Sequence, residues 1–188
     1  MNTPSHAILN LVLLDRAQNH PWPVLLGSVL PDLPIFAFYG LQRWVYGQPP
    51  NKIWSEIYFQ PFWQDVVAIA HSMPLALAGW AIARSQNHAG AELLCVSLLL
   101  HSLLDLPVHS EDAHRHFWPL TDYRFFSPLS YWDPRHYGQW VALAEALLVL
   151  GAMVLLWRGA APGGRVLLAV VNGLYAVAYV RFYVLTGV

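Results

Sequence analysis

Unbroken apolar stretches separated by polar turns dominate the chain. Two near its end read as clear membrane crossings, Gly138 to Trp157 and Arg165 to Leu185, joined by the turn Gly159-Ala-Ala-Pro-Gly-Gly164. Each matches the roughly 20 apolar residues that a spanning helix needs. Asp65 to Arg84 and Ala89 to Pro107 are further spans; the first carries His71, Ser72 and Pro74, and the second has His101 and Asp105 near its end. Trp22 to Tyr46 is long enough to cross, but Pro31, Asp32 and Pro34 interrupt it. Proline removes a backbone donor and bends a helix. In lipid, such backbone survives only where it is buried in protein or lines a cavity. The segment is therefore expected to be a broken or re-entrant helix with Asp32 at the break. Thr3-Pro4 signals a helix start, a capping hydroxyl followed by proline at the first helical position. Ser5 to Ala17 then forms a short helix with Ile8, Leu9, Val12 and Leu13 on one side, too short to span. Gly47 to Gln64 reads as a polar, aromatic loop, and Val108 to Tyr137 as a long extramembrane loop over the site. The predicted fold is an all-α, polytopic transmembrane helical bundle forming a single domain over residues 1–188, with about four to five spans, a short N-terminal helix and a long polar loop.

Composition agrees with a bilayer environment. The chain is 56% hydrophobic and 11% charged, against roughly 25% charged in an ordinary soluble domain. Its nine Trp, nine Tyr and eight Phe suit aromatic belts at the headgroup level. A formal net charge of -1 gives no basis for binding nucleic acid, which calls for a basic patch or stripe. The N-terminal segment lacks the basic region of a signal peptide, since Asp15 and Arg16 directly follow its apolar run. The long loop has the lower density of basic residues and is expected on the extracytoplasmic side.

Depth along the spans gathers the ionisable residues. The short connections Arg84 to Ala89 and Arg158 to Arg165 are two spans apart and lie on one side. At about 1.5 Å per helical residue, His71, His101 and Glu145 lie roughly 18–20 Å from that side and Arg181 roughly 24 Å. Ionisable residues within a span cost roughly 2.5 kcal/mol or more each, and are normally paired or functional. A shared level across four helices is therefore a candidate polar site.

His101 and Asp105, four residues apart, emerge from one helix face and have the spacing of helical metal ligands; the simpler reading is a buried His–Asp hydrogen bond. His71 is either a third ligand at the same depth or a helix–helix hydrogen-bond partner. Asp32 suits a metal or a positive partner, or a turn whose amides it satisfies. His6, near a helix start, reads by itself as interfacial. The run His109-Ser-Glu-Asp-Ala-His-Arg-His116 supplies possible additional ligands in His109, His114 and His116, or is a solvated loop. If it is helical, Asp112 and His116 repeat the one-turn spacing. Asp112 and Glu145 are candidate general bases. Glu145 and Arg181 also form a candidate structural ion pair, the alternative for Arg181 being a substrate phosphate.

The order His6, Leu-Pro-Asp-Leu-Pro (30 to 34), His71-Ser72 and His101-Ser-Leu-Leu-Asp105, with Trp118-Pro119 downstream, resembles the membrane-bound metal-dependent hydrolases typified by the SOS-induced inner-membrane hydrolases. That family is similar, distantly, to zinc-dependent phospholipase C. The resemblance covers roughly residues 3 to 120. It implies that His6, Asp32, His71, His101 and Asp105 hold one or more divalent ions, with zinc the expected metal. It also implies a phosphoester or other ester of a lipid-like substrate, and a bacterial inner-membrane location. The chain departs from the family pattern at Pro34, where a second acid is usual, and around His71-Ser72, which is all that remains of an Arg-Gly-x-Thr-His-Ser stretch. Replacement ligands would come from His109 to His116. The competing expectation is a non-catalytic membrane protein, either an ion or proton conduit or a subunit of a larger complex, because intramembrane His, Asp and Glu also mark relays.

Overall fold

A computed structural model describes residues 1–14 and 20–185, and among these the chain is helical with no strand. The helices are α1 Thr3–Leu13, α2 Pro21–Val29, α3 Leu33–Gly40, the single turn α4 Pro50–Lys52, α5 Pro61–Ala70, α6 Met73–Ser85, α7 Ala89–Asp105, α8 Gly138–Trp157 and α9 Pro162–Tyr179. Wider π-helical turns continue α3 over Leu41–Val45, α4 over Ile53–Ile57 and α9 over Val180–Val184. Pro4, Pro21, Pro34, Pro50, Pro61, Pro74 and Pro162 sit in the first two positions of their helices, where the missing N–H has no intrahelical partner to lose.

Three helices among the described residues are long and apolar enough to cross a membrane: Pro61–Ser85, taken through the break between α5 and α6, Gly138–Trp157 and Pro162–Val184. The pair Pro21–Val29 and Leu33–Val45, bent by 50°, makes a fourth if it is one span. With 17 residues, α7 falls short of the roughly 20 that a crossing needs, yet it is the helix around which the others gather. It packs against α2, α6 and α1, while α1 leans on α8, and α8 carries α9.

Close backbone approach sets these contacts. A methyl group on Gly27 of α2 would lie 2.4 Å from the Leu94 carbonyl oxygen and 2.7 Å from Ser97 Cβ, so the α2–α7 crossing requires glycine there. This is the small-residue packing favoured where lipid gives helices no hydrophobic drive to associate. A polar staple reinforces it: Asn10 Nδ2 donates to the Ser97 carbonyl (3.0 Å) and hydroxyl (2.9 Å), and Ser97 Oγ donates to the Val24 carbonyl (2.7 Å). On the outside, Leu147, Leu148, Leu150, Val154 and Leu155 of α8 and Val166, Leu167, Val170, Leu174 and Val177 of α9 are 44–70% exposed. So much open apolar surface marks a lipid-facing or partner-facing wall, and both helices are long and apolar enough to cross a membrane.

Several boundaries differ from the sequence expectation. The N-terminal helix begins at Thr3 and is helical to Leu13; Asp15, Arg16 and Ala17 lie outside the described residues. Thr3 is its first residue rather than its cap, and its hydroxyl goes elsewhere. The segment from Gly47 to Gln64 is not a plain loop, because Ile53, Ile57 and Tyr58 turn inward against Phe38 and Val67. Their one-turn spacing was the signal for this. The span expected from Asp65 starts at Pro61 and breaks at His71-Ser72, where Pro74 has no N–H for the Ala70 carbonyl. The run from His109 to His116 is irregular rather than helical.

Candidate metal centre

Five stretches bring polar side chains to one buried place: the start of α1, the break between α2 and α3, the break between α5 and α6, the end of α7, and the chain that follows it. The breaks are what make this possible. His71, the residue after α5, is oriented through its own last turn, its Nδ1 lying 2.9 Å from the Val67 carbonyl. The interruption is held in place from three sides. Ser102 Oγ donates to the His71 carbonyl (2.9 Å), the Met73 N–H donates to the His116 carbonyl (2.9 Å), and the Ser72 hydroxyl donates to the Trp118 carbonyl while accepting from the Leu75 N–H.

The tautomers follow from these bonds. A carbonyl only accepts, so His71 Nδ1 carries the proton, as does His101 Nδ1, which lies 2.8 Å from the Ser28 carbonyl. In the neutral rings each Nε2 keeps its lone pair. Both Nε2 atoms are buried with no hydrogen-bond partner, and the two rings stand 5.2 Å apart. An imidazole held by one nitrogen and presenting the other is the arrangement of a metal-ligating histidine.

Two carboxylates meet these lone pairs. Asp32 Oδ1 lies 3.7 Å from His71 Nε2 and 3.6 Å from His101 Nε2, while its Oδ2 accepts from Thr3 Oγ1 (2.5 Å). Asp105 is shared: Oδ2 faces His101 Nε2 (3.1 Å) and His71 Nε2 (3.9 Å), and Oδ1 faces His6 Nε2 (2.9 Å), His109 Nε2 (3.2 Å) and the Met1 backbone nitrogen (2.5 Å). The His6 ring stacks on His101 at 3.7 Å. Three overlapping groups, His6–His101–Asp105, Asp32–His71–His101 and His71–Asp105–His114, each bring one ligand atom per residue within 4.8 Å of the others, all buried. These groups have the donors and the spacing to hold a metal ion.

The residues after α7 complete the surroundings. The His114 ring lies tilted against that of His71, with ring centres 4.2 Å apart. Burial, with the nearby His71 adding, holds its pKa well below the usual imidazole range. Burial likewise pushes His116 down to about 4; its Nε2 is buried and unpartnered, and its ring centre is 6.1 Å from that of His71. His109 goes the other way. Burial alone would lower its pKa, but the charge of Asp105 and the hydrogen bonds to Asp105 and Asp112 together outweigh burial and lift it to about 8. Asp112 faces His109 Nδ1 at 3.0 Å and accepts from Trp132 Nε1 at 3.1 Å. Burial would raise its carboxyl pKa, yet the hydrogen bond and charge of His109 leave it below the usual carboxylate range.

Two expected partners stand elsewhere. Glu145 does not face the imidazoles: its Oε1 accepts from Asn2 and Ser5 of the N-terminal segment and from Tyr175 of α9. Arg181 is exposed and forms no ion pair with Glu145 among the described residues. Depth along a helix places a residue at a level but leaves its direction around the axis free, which is why this pair is not made. Thr3, Ser28, Ser72 and Ser102 also act on the site, though in sequence Thr3 marks only a helix start and none of the four reads as a site residue. Ser72 and Ser102 each adjoin a site histidine, which was the available signal, whereas Ser28 contributes only a carbonyl and leaves no trace in sequence.

A cavity of about 1390 Å³ opens beside the cluster, reached by Asp32, His109, Asp112 and His114 and walled by Phe36, Tyr39, Trp54, Tyr58, Phe59 and Tyr131 among others. It exceeds the roughly 300–1,000 Å³ of common small-molecule pockets. Part of its wall faces outward, with Phe36 at 55% and Phe59 at 46% exposure. In comparisons with known proteins, no family model, curated protein or solved structure matches the chain.

Proposed function

We propose that this protein is a membrane-embedded, metal-dependent hydrolase acting on a phosphoester or other ester of a lipid-like substrate. The observation that carries the reading is the convergence of the two Nε2 lone pairs of His71 and His101, each ring oriented by a backbone carbonyl, on the carboxylates of Asp32 and Asp105. Buried polar atoms without partners are costly. A cation is the occupant that would satisfy lone pairs and carboxylates together. A centre of imidazoles and carboxylates suits zinc. The order of His6, Asp32, His71, His101 and Asp105 along the chain supports membership of the membrane-bound metal-dependent hydrolases that the sequence resembles. In this reading His109 and His114 are further ligands, and His116 backs them.

A bound divalent ion would lower the pKa of a bound water to near 7 and polarise the scissile group. The chain supplies the rest. Asp112 lies on the cavity wall and Glu145 does not, so Asp112 is assigned as the general base. Through Oδ2 it also orients His109 towards Asp105. The aromatic wall would hold an apolar chain with its polar end at the cluster and admit it sideways from the bilayer. The same reading counts the bent pair α2–α3 and α7 as crossings, which gives five, with the site on the extracytoplasmic side of a bacterial inner membrane.

The test is the metal content of protein purified in detergent. Wild type should carry stoichiometric zinc or another divalent ion, and His101→Ala should lose at least nine-tenths of it, in keeping with the 10–100-fold losses that even outer-shell changes cause. A well-folded wild type free of metal and unable to take it up would overturn the proposal. The non-catalytic alternative, a proton or ion relay, would then hold.

A further inference from the structure

Glu145 is the acid that sequence reasoning offered as a base or an ion-pair partner, and its surroundings serve neither role. It lies on the α8 stripe that faces α1, one turn before Val149 and two before Ala152, which pack against Ile8 and Leu9. Only 3% exposed, it directs one oxygen into the first turn of α1. Oε1 accepts from the Asn2 N–H at 2.9 Å, Asn2 Nδ2 at 3.0 Å, Ser5 Oγ at 2.6 Å and the Tyr175 hydroxyl at 3.1 Å. The Ser5 and Tyr175 hydroxyls are themselves 2.5 Å apart. Oε2 is buried without a partner.

Consecutive helical residues point about 100° apart, so what Ser5 touches fixes where its neighbour His6 points. With Ser5 held against α8, His6 is turned towards α7, where its Nε2 meets Asp105 at 2.9 Å and its ring stacks on His101. Thr3, between Asn2 and Ser5, sends its hydroxyl to Asp32 at 2.5 Å. Residues 2 to 6 thus have two sides. Asn2 and Ser5 grip Glu145, while Thr3 and His6 reach the two carboxylates of the candidate centre. A negative charge at this helix start is also favourable in itself, because unsatisfied N–H groups cluster there.

We infer that Glu145 is a positioning residue for the metal centre. Its carboxylate sets the rotation and height of α1, and through them the placement of His6 on Asp105 and of Thr3 on Asp32. The inference rests on the metal-binding reading above and adds a residue from outside the ligand groups. It also accounts for an acid deep within a spanning helix that touches no imidazole.

Cobalt(II) titration of detergent-purified, metal-stripped protein tests it, with the visible ligand-field spectrum as the readout. Wild type should give an intense visible spectrum. Glu145→Ala should weaken cobalt affinity at least tenfold and change the band shape, because His6 and Asp32 lose their placement. Glu145→Gln, which keeps an acceptor for Ser5 and the Asn2 N–H, should recover most of the wild-type spectrum. Val149→Ala thins the same α1–α8 seam without touching the carboxylate. It should lower the unfolding midpoint and leave the spectrum unchanged. Should Glu145→Ala fail to fold, Ser5→Ala, which removes only one donor, should still shift the band. A wild-type spectrum and affinity in Glu145→Ala and Ser5→Ala would overturn the inference, as would a Val149→Ala spectrum altered to the same degree. A wild type that binds no cobalt overturns the metal reading itself, and this inference with it.

Discussion

Each histidine of the cluster is individually defined by which of its nitrogens is engaged. His71 and His101 give one to a backbone carbonyl and hold the other free, while both nitrogens of His109 face carboxylates. This division has a pH consequence in the metal-free protein. His116 stays neutral down to about 4, whereas in the unfolded chain it titrates near 6.5. Between those values the unfolded state binds a proton that the native state refuses, so native stability rises with pH across that window and is lost as pH falls through it. The depressed pKa of His114 acts in the same direction. The His116 contribution is of order 3 kcal/mol, from about 1.4 kcal/mol per pH unit. His116→Gln should therefore flatten the dependence of the unfolding midpoint on pH between about 4 and 6.5. An undiminished slope would mean that the imidazole takes its proton within the fold.

At the scale of elements, the centre depends on helices that stop. The α2–α3 break presents Asp32, the α5–α6 break presents His71, and α7 ends at Asp105. What holds these ends in register is close packing higher in the bundle, above all the α2–α7 crossing at Gly27. Gly27→Ala puts a methyl group against the Leu94 carbonyl and Ser97 Cβ, both backbone or nearly so, where neither side can yield by changing rotamer. Overpacking of this kind costs about 1–3 kcal/mol. Because α2 leads into Asp32 and carries the Ser28 carbonyl that orients His101, the same substitution should weaken metal binding along with stability. A denaturation series in detergent that shows Gly27→Ala as stable as wild type would remove the crossing from this account. Gly151 and Gly173, where an added methyl meets nothing within 4 Å, serve as controls.

For the molecule as a whole, a polar cluster is enclosed beside the apolar cores, while two long helices leave their apolar side chains open. His6, His71, His101 and Asp105 are enclosed, while the leucines and valines of α8 and α9 are open. Leu174, 62% exposed and near the middle of the Pro162–Val184 span, should accordingly face acyl chains. Leu174→Asp is expected to cost about 3 kcal/mol in insertion, seen as a fall in the membrane-integrated fraction after alkaline extraction. Glu111→Gln, on the exposed surface, should leave that fraction alone. Protein that stays monodisperse in water without detergent would contradict the lipid-facing assignment.

Hydrophobic run length and the positions of proline determined much of this. A crossing is a local, additive property of about 20 residues, so Gly138–Trp157 and the α9 span were legible directly, as was the break at Asp32 between its two prolines. The fixed pitch of a helix likewise put His101 and Asp105 on one face and His71 at their depth. Direction around each axis is a different matter, because it depends on which face a neighbouring helix takes. Tertiary structure alone decided that Glu145 turns to Ser5 and Tyr175 rather than to Arg181. It also decided that the irregular chain after α7 folds back so that His109 and His114 join the cluster, and that Thr3 reaches Asp32 instead of capping α1. Pairings between residues 29 to 143 positions apart carry no local signature, since they are selected by packing of the whole bundle.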